Sequence, residues 1–492
     1  MLQFNMLTKR INEIVNAGAR TRLNDIEFLQ KEVDKFLCSR ERQMQIEGNN
    51  YYEYRQDILN KKRMVIGADG NLKQDDKLPN NKYTDNVYAD MVDQKVNYIL
   101  SKPITFSSDD ENYEEALKDI FNKKFHRLIK NVGKDSYNGK MAYIYVYYDE
   151  NGELQFMRFR PWEVKVYWKD DDHTQIDWFF RYYEQQGYEG SIEKTYRFVD
   201  VYDTDGIHKF EYAEQGLRPD YQTYYFEMPD LEGEVIPYNW DKIPLIPLKS
   251  NSNEIPLICK CKCLQDGVND MLSMFADVMK ENSSGTSILV LKNYDGTNLG
   301  EFRNNLAQYR TVKVRTVDGA DGGIDKLEIE VNAENFNVIL KELRKAIVRN
   351  CKGYDVDELK SSGSPNEMTI KAVYSAIDLD ANELETEYQA SFEDLLWFVN
   401  YHLKVTGKGD FTNTNVDVIF NRDMMVNEAE VIDCVQKSVG ILSDETLIAQ
   451  HPWTDNVQKE LDRLAKQKEE NMQNFLEGMN QGTNAPDGEG DE

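Results

Sequence analysis

Histidine and cysteine are both scarce, with five and six residues in a chain of 492. His126, His173, His208, His402 and His451 lie far apart, and none has a second histidine at metal-ligand spacing. The cysteines are Cys38, Cys259, Cys261, Cys263, Cys351 and Cys434. Six thiols in this length do not make a disulfide framework, so reduced, cytosolic folding is expected. Cys259, Cys261 and Cys263 form C-x-C-x-C with no fourth ligand nearby, whereas zinc sites use C-x₂₋₄-C pairs. Free thiols at the start of a helix are the expected reading. The Walker A, GxGxxG, HExxH and GxSxG patterns are all missing. No catalytic residue and no cofactor is expected. No window of 18 apolar residues occurs, and MLQFNMLTKRINEIVNAG lacks the apolar centre of a signal peptide. No membrane segment is expected.

Acid outweighs base. The formal net charge is −28 and the pI near 4.7. Such a monomer repels nucleic acid at long range. Asp318, Asp321 and Asp325 in VDGADGGID loosely resemble a calcium loop but miss the EF-hand spacing and its final Glu. A turn between strands is expected there, and Asp170–Asp172 reads as a solvated hairpin tip.

What is present reads as α+β. Residues 1–65 are helical in pattern, and VIGADGNLKQDDKLPNN is a turn-rich connector with a turn signal at Asp69–Gly70. TDNVYADMVDQKVNYILS predicts a helix with Thr84 as N-cap. Two further helices are expected over 111–138. From 141 to 248 the pattern changes to alternating aromatic and β-branched runs, the mark of antiparallel strands. The prolines of YNWDKIPLIPLKSN place that segment at an edge. Residues 256–282 return to helix. A small α/β insertion over 287–331 follows.

The stretch from Ala333 to Leu403 organises the rest: helix, Gly/Ser-rich break, long helix. In the first helix Phe336, Ile339, Leu340, Leu343, Ala346 and Ile347 share one side. Lys341, Lys345, Arg349 and Lys352 fall together on the other. Two readings of this stripe stand side by side. It is a solvated face, paired with acids of a neighbour, or a surface facing DNA phosphates. Lys360, Ser361, Ser362, Gly363, Ser364 and Pro365 break the helix, and a second helix runs from Glu367 to about Leu403. Ser443 reads as the N-cap of a later helix, with Thr446 three residues on.

The order of these parts resembles the portal proteins, or head–tail connectors, of tailed bacteriophages with long non-contractile tails. The resemblance is carried by YYEYRQDILNKKR, NKYTDNVYADMVDQKVNYILSKPITF, SSGSPNEMTIKAVYSAIDLDANELETEYQASFEDLL and FNRDMMVNEAEVIDCVQKSVGILSDETLIAQHPWTDNVQKELDRL. Pro365-Asn366-Glu367-Met368 departs from the family's small-residue start to the long helix. The resemblance implies a portal fold: a β-rich wing (1–255), stem helices (256–282 and 333–352) and a small α/β clip (283–332). It further implies a tunnel loop (353–366), a long kinked wing helix with a strand (367–425) and a helical crown (426–475), while the Gly/Asp/Glu/Asn-rich end of the chain reads by composition as a disordered acidic tail (476–492). It implies a homo-oligomeric ring, twelve subunits in the virion, at one capsid vertex. Double-stranded DNA in the channel, terminase, an adaptor protein at the clip, and major capsid and scaffolding proteins are its implied partners. The stripe, Lys360 and Ser361 to Ser364 are the implied channel residues, and assembly in the host cytoplasm is expected. A capsid or scaffold protein without a channel, or a metal-dependent hydrolase, is the alternative.

Overall fold

A computed structural model describes residues 26–66, 70–76, 78–229, 234–283, 288–292, 322–327, 333–355, 367–422, 428–454 and 457–482, with single positions between 298 and 315. Two units are distinguished: Met1–Tyr354 with Ala376–Asp423, and Asp355–Ser375 with Met424–Glu492.

The first unit begins with α1 (Ile26–Leu37) and α2 (Arg40–Tyr52). Ser39 ends one and starts the other. Its Oγ donates to the Phe36 carbonyl at 2.7 Å and accepts the Arg42 N–H at 3.2 Å. Leu29, Val33 and Phe36 recur at helical spacing and bury against Trp178, Phe180, Val199, Val201 and Phe210. Those partners come from a five-stranded antiparallel meander, order β10-β9-β8-β7-β6. Its strands are β6 (Val164–Trp168), β7 (Ile176–Glu189), β8 (Ile192–Asp203), β9 (Gly206–Ala213) and β10 (Gly216–Thr223). Alternate side chains enter the core, as the sequence alternation predicts.

A second sheet has the order β13-β4-β5, from β4 (Met141–Tyr148), β5 (Leu154–Phe159) and β13 (Leu245–Lys249). Pro247 sits on the edge strand β13, where its missing N–H costs no ladder bond. Before β4 come β1 (Met64–Ile66) paired with β2 (Leu72–Gln74), α3 (Val87–Leu100), β3 (Thr105–Ser108), α4 (Glu111–Ile120) and α5 (Lys123–Gly139). The connector is therefore a small hairpin. Between the two sheets in sequence, β11 (Phe226–Pro229) pairs with β12 (Val235–Tyr238).

After β13 the chain forms α6 (Ile258–Ser283), β14 (Ile288–Lys292), β15 (Gly323–Leu327) and α7 (Ala333–Asn350). β14 and β15 pair antiparallel, from Ile288 opposite Leu327 to Lys292 opposite Gly323. The further helix and strands expected within 287–331 lie mostly outside the described residues. Next, α8 runs unbroken over Glu367–Val405, 39 residues or about 58 Å at the α-helical rise. β16 (Val416–Ile419) then pairs with β3. Phe392 of α8 meets Phe106, Phe121, Phe125 and Phe420 at ring distances of 5.9–6.1 Å, so α8 is packed from several sides.

An ion-pair cluster ties α2 to the strands. Lys140 Nζ lies 2.8 Å from Glu41 and 2.9 Å from Glu254, and Glu254 also meets His173 at 2.5 Å and Lys249 at 3.3 Å. Burial acts to raise the Glu254 pKa, but hydrogen bonds from Lys140 and His173 outweigh it and hold the pKa at about 2. A carboxylate held below its ordinary value of 4.5 contributes its stability in full above that value and loses it as pH falls toward 2. Glu254→Gln should therefore lower the thermal midpoint at pH 6, and its gap to wild type should close as both are titrated toward pH 2. A gap independent of pH would contradict this origin.

The second unit contains α9 (Glu428–Lys437), α10 (Asp444–Ala449) and α11 (Val457–Gly482). Ser443 caps α10 as expected, accepting the Thr446 N–H at 3.3 Å. Residues 476–482, expected in a disordered tail, are instead the last turns of α11, because QNFLEGMNQ consists largely of residues that a helix accommodates. Residues 483–492 lie outside the described residues.

Candidate functional site: a polar-anchored helix hairpin

α6 and α7 form an antiparallel hairpin, and three contacts fix its register. Asn350 Nδ2 donates to the Lys260 carbonyl at 3.4 Å, a Cβ on Gly267 would meet Leu343 at 3.8 Å, and the Phe275 and Phe336 rings stack at 4.4 Å. The hairpin is dry on its inner face: Cys261, Val268, Leu340, Ile347 and Cys351 are all buried. Cys259 and Cys263 are exposed and lie on the other side of α6 from Cys261, so the three thiols do not converge.

What fixes the hairpin to the body is polar. Gln265, Asn269, Ser273 and Asp277 stand every fourth residue on α6 and are at most 1% exposed. Asp277, Ser273 and Asn269 each accept a backbone N–H from the chain that leads into α3, and Gln265 accepts one from the second residue of α3 itself. Asp277 Oδ1 takes Asn81 at 2.7 Å, Ser273 Oγ takes Tyr83 at 3.0 Å, Asn269 Oδ1 takes Asp85 at 3.0 Å and Gln265 Oε1 takes Tyr88 at 3.1 Å. The spacings explain the fit. Four helical residues rise about 6 Å, and two extended residues advance about 6.6 Å. Alternate N–H groups at Asn81, Tyr83 and Asp85 thus meet successive turns of α6, and the last rung, Tyr88, comes three residues on from inside α3. Gln265 Nε2 also donates to the Asp85 carbonyl at 2.5 Å, and Asn269 Nδ2 donates to Gln56 Oε1. Outside this ladder, Arg344 of α7 pairs with Asp85 at 2.6 Å.

This docking corrects one expectation. Thr84 is not the N-cap of α3. The helix starts at Val87, and Asn86 Oδ1 accepts the Ala89 N–H at 3.1 Å. Gln265 takes both the Tyr88 N–H and the Asp85 carbonyl, the groups that a helix capped by Thr84 would use in its first intrahelical bonds.

The predicted basic stripe divides. Lys341, Lys345 and Arg349 lie on α7 and make no ion pair with other described residues. Lys352 lies beyond the helix end with a positive φ of 54°. Its Nζ reaches Glu383 at 3.6 Å and Asp380 at 3.9 Å, both on α8. It anchors the chain leaving the hairpin. Gly353 follows at a place where a Cβ would come within 2.4 Å of Met91 Sδ. Lys360, Ser361, Ser362, Gly363 and Ser364 lie outside the described residues, as does nearly all of the expected tunnel loop. The apolar side is also shorter than its periodicity predicts. Leu340 and Ile347 are buried, but Val338 and Ile339 are at least half exposed.

Sequence reasoning did not find the ladder or a second anchor. Lys95 of α3 is fully buried with its Nζ 2.6 Å from Asp380 Oδ2, which also accepts the Tyr137 hydroxyl at 2.9 Å. The four-residue spacing on α6 was the available signal for the ladder. The pair had none, since its members are 285 residues apart.

Among the described residues no three His, Cys, Asp or Glu side chains are grouped to hold a metal ion. No described helix is long and apolar enough to cross a membrane. The class defined here is an α+β protein in which a mixed body grips a helix hairpin, with the paired strands β14 and β15 between its two helices in sequence. The chain belongs to the phage portal protein family of the SPP1 Gp6-like type, whose description matches residues 39–474. It is 28% identical over 483 residues to the portal protein of Bacillus phage SPP1, covering 96% of this chain and 91% of the relative. It is 25% identical over 431 residues to the portal protein of Clostridium phage phiCD119, covering 85% and 91%. Among solved structures it is similar to a chain in the neck of an empty gene transfer agent particle, at 11% identity and a TM-score of 0.37, covering 74% and 88%. A chain in the virion of a native gene transfer agent gives 11% and 0.35, covering 73% and 88%. The family assignment rests on the sequence matches.

Proposed function

We propose that this chain is one subunit of a portal ring, with twelve copies at a single capsid vertex of a virion. Double-stranded DNA enters through the ring, driven by terminase, and leaves through it at ejection. On this reading α6 and α7 are the stem, residues 283–332 the clip that receives an adaptor protein, and 353–366 the tunnel loop. The wing (1–255 and 367–425) and crown (426–475) face major capsid and scaffolding proteins, and assembly takes place in the host cytoplasm.

The family match over residues 39–474 carries this reading. Two features of the hairpin support it. Met274 and Met279 on α6 and Val338 and Ile339 on α7 are exposed apolar side chains on the stem, as expected where neighbours pack side by side in a closed ring. Lys341, Lys345 and Arg349 leave a short cationic row in an acidic subunit. Twelve copies at −28 each carry −336 formal charges, so DNA would be repelled in bulk and touched at few points. That balance suits sliding better than gripping.

Negative-stain imaging of the purified full chain tests the ring. Class averages with a central hole are expected, and monomers alone at every concentration would overturn the proposal. The cationic row has its own test. Lys345→Glu with Arg349→Glu should leave rings intact and cut packaged DNA per particle about tenfold, because it removes and reverses phosphate contacts. Unchanged packaging would make the row structural.

A further inference from the structure

The two buried cysteines of the hairpin face each other. Cys261 shares the inner face of α6 with Gln265 and Val268, and Cys351 continues the α7 row of Leu340 and Ile347. Asn350 reaches the Lys260 carbonyl, so the residues that follow each of them, Cys351 and Cys261, lie at the same level of the hairpin. Both are 0% exposed, and their thiols are hydrogen-bonded to each other. Cys261 Sγ also has the Leu257 carbonyl of its own helix at 3.8 Å. The other four thiols, Cys38, Cys259, Cys263 and Cys434, are exposed.

Cys351 stands at the closing turn of α7. The Lys352 N–H donates to the Arg349 carbonyl at 3.1 Å and the Gly353 N–H to the Val348 carbonyl at 2.9 Å, the two bonds of a Schellman motif. Its left-handed position is filled by Lys352 at a φ of 54°, where glycine is the usual residue. A helix end closed by a strained residue opens more easily than a helix interior. Such an opening admits a small oxidant to a pair that is sealed when the turn is closed. The surrounding charge suits thiol chemistry. The hydrogen bond from Cys261 pulls the Cys351 pKa down against its burial, and the ammonium groups of Lys95 and Lys260 act in the same direction. The same bond, together with burial, pushes Cys261 up. Cys351 is therefore the nucleophile of the pair.

We infer that Cys261 and Cys351 form a reversible disulfide that bolts the end of α7 to α6. With a peroxide as oxidant, the Cys351 thiolate attacks one peroxide oxygen and the O–O bond breaks. The hydroxide released takes up the thiol proton as water, and Cys351 is left as a sulfenic acid. Cys261 then attacks that sulfur, the S–S bond forms, the S–O bond breaks, and the second water leaves with the Cys261 proton. The two thiols lose two electrons and two protons in all, and the peroxide becomes two waters. A thiol reductant reverses the bond by exchange. The bolt lies at the end of the hairpin away from β14 and β15, where the chain leaves through Gly353.

Thiol counting on the full-length protein tests this against packing as the sole role of the pair. N-ethylmaleimide under native conditions first blocks the four exposed thiols. The protein is then treated with hydrogen peroxide, freed of it, and unfolded in iodoacetamide. Cys261 and Cys351 should escape the second label and appear as one cross-linked peptide pair, and dithiothreitol before unfolding should restore both labels. In Cys351→Ala, labelling of Cys261 should exceed that of peroxide-treated wild type by about tenfold, because its partner sulfur is gone. Cys261→Ala should stop the reaction at the Cys351 sulfenic acid, which dimedone traps, and this variant gives the reading if Cys351→Ala fails to fold. Full iodoacetamide labelling of both cysteines in peroxide-treated wild type, or cross-links that join either one only to another cysteine, would overturn the inference.

Discussion

Lys95→Ala is expected to destabilise the first unit by about 3–5 kcal/mol, the range found when one partner of a buried ion pair is removed. Lys95 Nζ has no exposed surface and Asp380 very little. The pair is the main charge balance for a carboxylate that otherwise keeps, among the described residues, the Tyr137 hydroxyl at 2.9 Å and Lys352 at 3.9 Å. Burial pushes the Lys95 pKa down, and Asp380 opposes that push. The charged lysine is therefore held in place by its partner and not by its surroundings. The substitution should move the guanidinium midpoint read by tryptophan fluorescence, since Trp178, Trp240 and Trp397 all lie in this unit. Replacing both partners, Lys95→Met with Asp380→Leu, should cost less than either single change, because no unpaired charge remains and the volume is refilled. The leftover cost is the Tyr137 hydroxyl, which loses its acceptor. A Lys95→Ala loss under about 1 kcal/mol would mean that water or Lys352 replaces the lost partner and that the pair is not an anchor.

Much of the fold is legible in local pattern. The alternating aromatic runs from 141 to 248 became strands, Pro247 fell on an edge, and Ser443 capped its helix. Each of these depends on near neighbours in sequence. The misreadings have a shared cause, which is a partner distant in the chain. Thr84 has the hydroxyl of a good cap, yet the Tyr88 N–H and the Asp85 carbonyl are held by Gln265 across 177 and 180 residues, so the helix begins at Val87. Lys352 continues the angular position of Lys341, Lys345 and Arg349, but the helix ends at Asn350 and a left-handed residue turns the side chain toward Asp380 and Glu383. Ile339 belongs to the apolar side by periodicity and is still half exposed. Periodicity identifies which face is apolar but not how far along the helix a partner extends. The candidate site was therefore visible as a basic row on a helix. The hairpin register, the ladder that anchors it and the separate role of Lys352 depended on contacts that no sequence window contains.

The ladder on α6 yields the sharpest local prediction. Asn269→Leu keeps the volume but removes both the acceptor for the Asp85 N–H and the donor to Gln56. The part-buried Asp85 N–H is then unpaired and the buried Gln56 Oε1 keeps only the longer contact from Gln265 Nε2 at 3.5 Å, which together should cost about 2–4 kcal/mol. Ser273→Ala strands only the Tyr83 N–H, which is partly accessible, and should cost about 1 kcal/mol. The ranking follows from how many groups each change orphans. Hydrogen exchange gives a readout that global stability does not. The amides of Asn81, Tyr83, Asp85 and Tyr88 should exchange much faster in Asn269→Leu, because their acceptors are the side chains of α6, whereas β7 and β8 donate to one another and should keep their protection. Uniform acceleration across both regions would show a general loss of stability instead. Unchanged protection over 81–88 would show that this segment holds its shape without α6. The local outcome carries a mechanical meaning for a portal-family chain. The hairpin of α6 and α7 would then be joined to the body by a row of replaceable polar contacts, each set by one residue in four, and its grip would be adjustable one rung at a time.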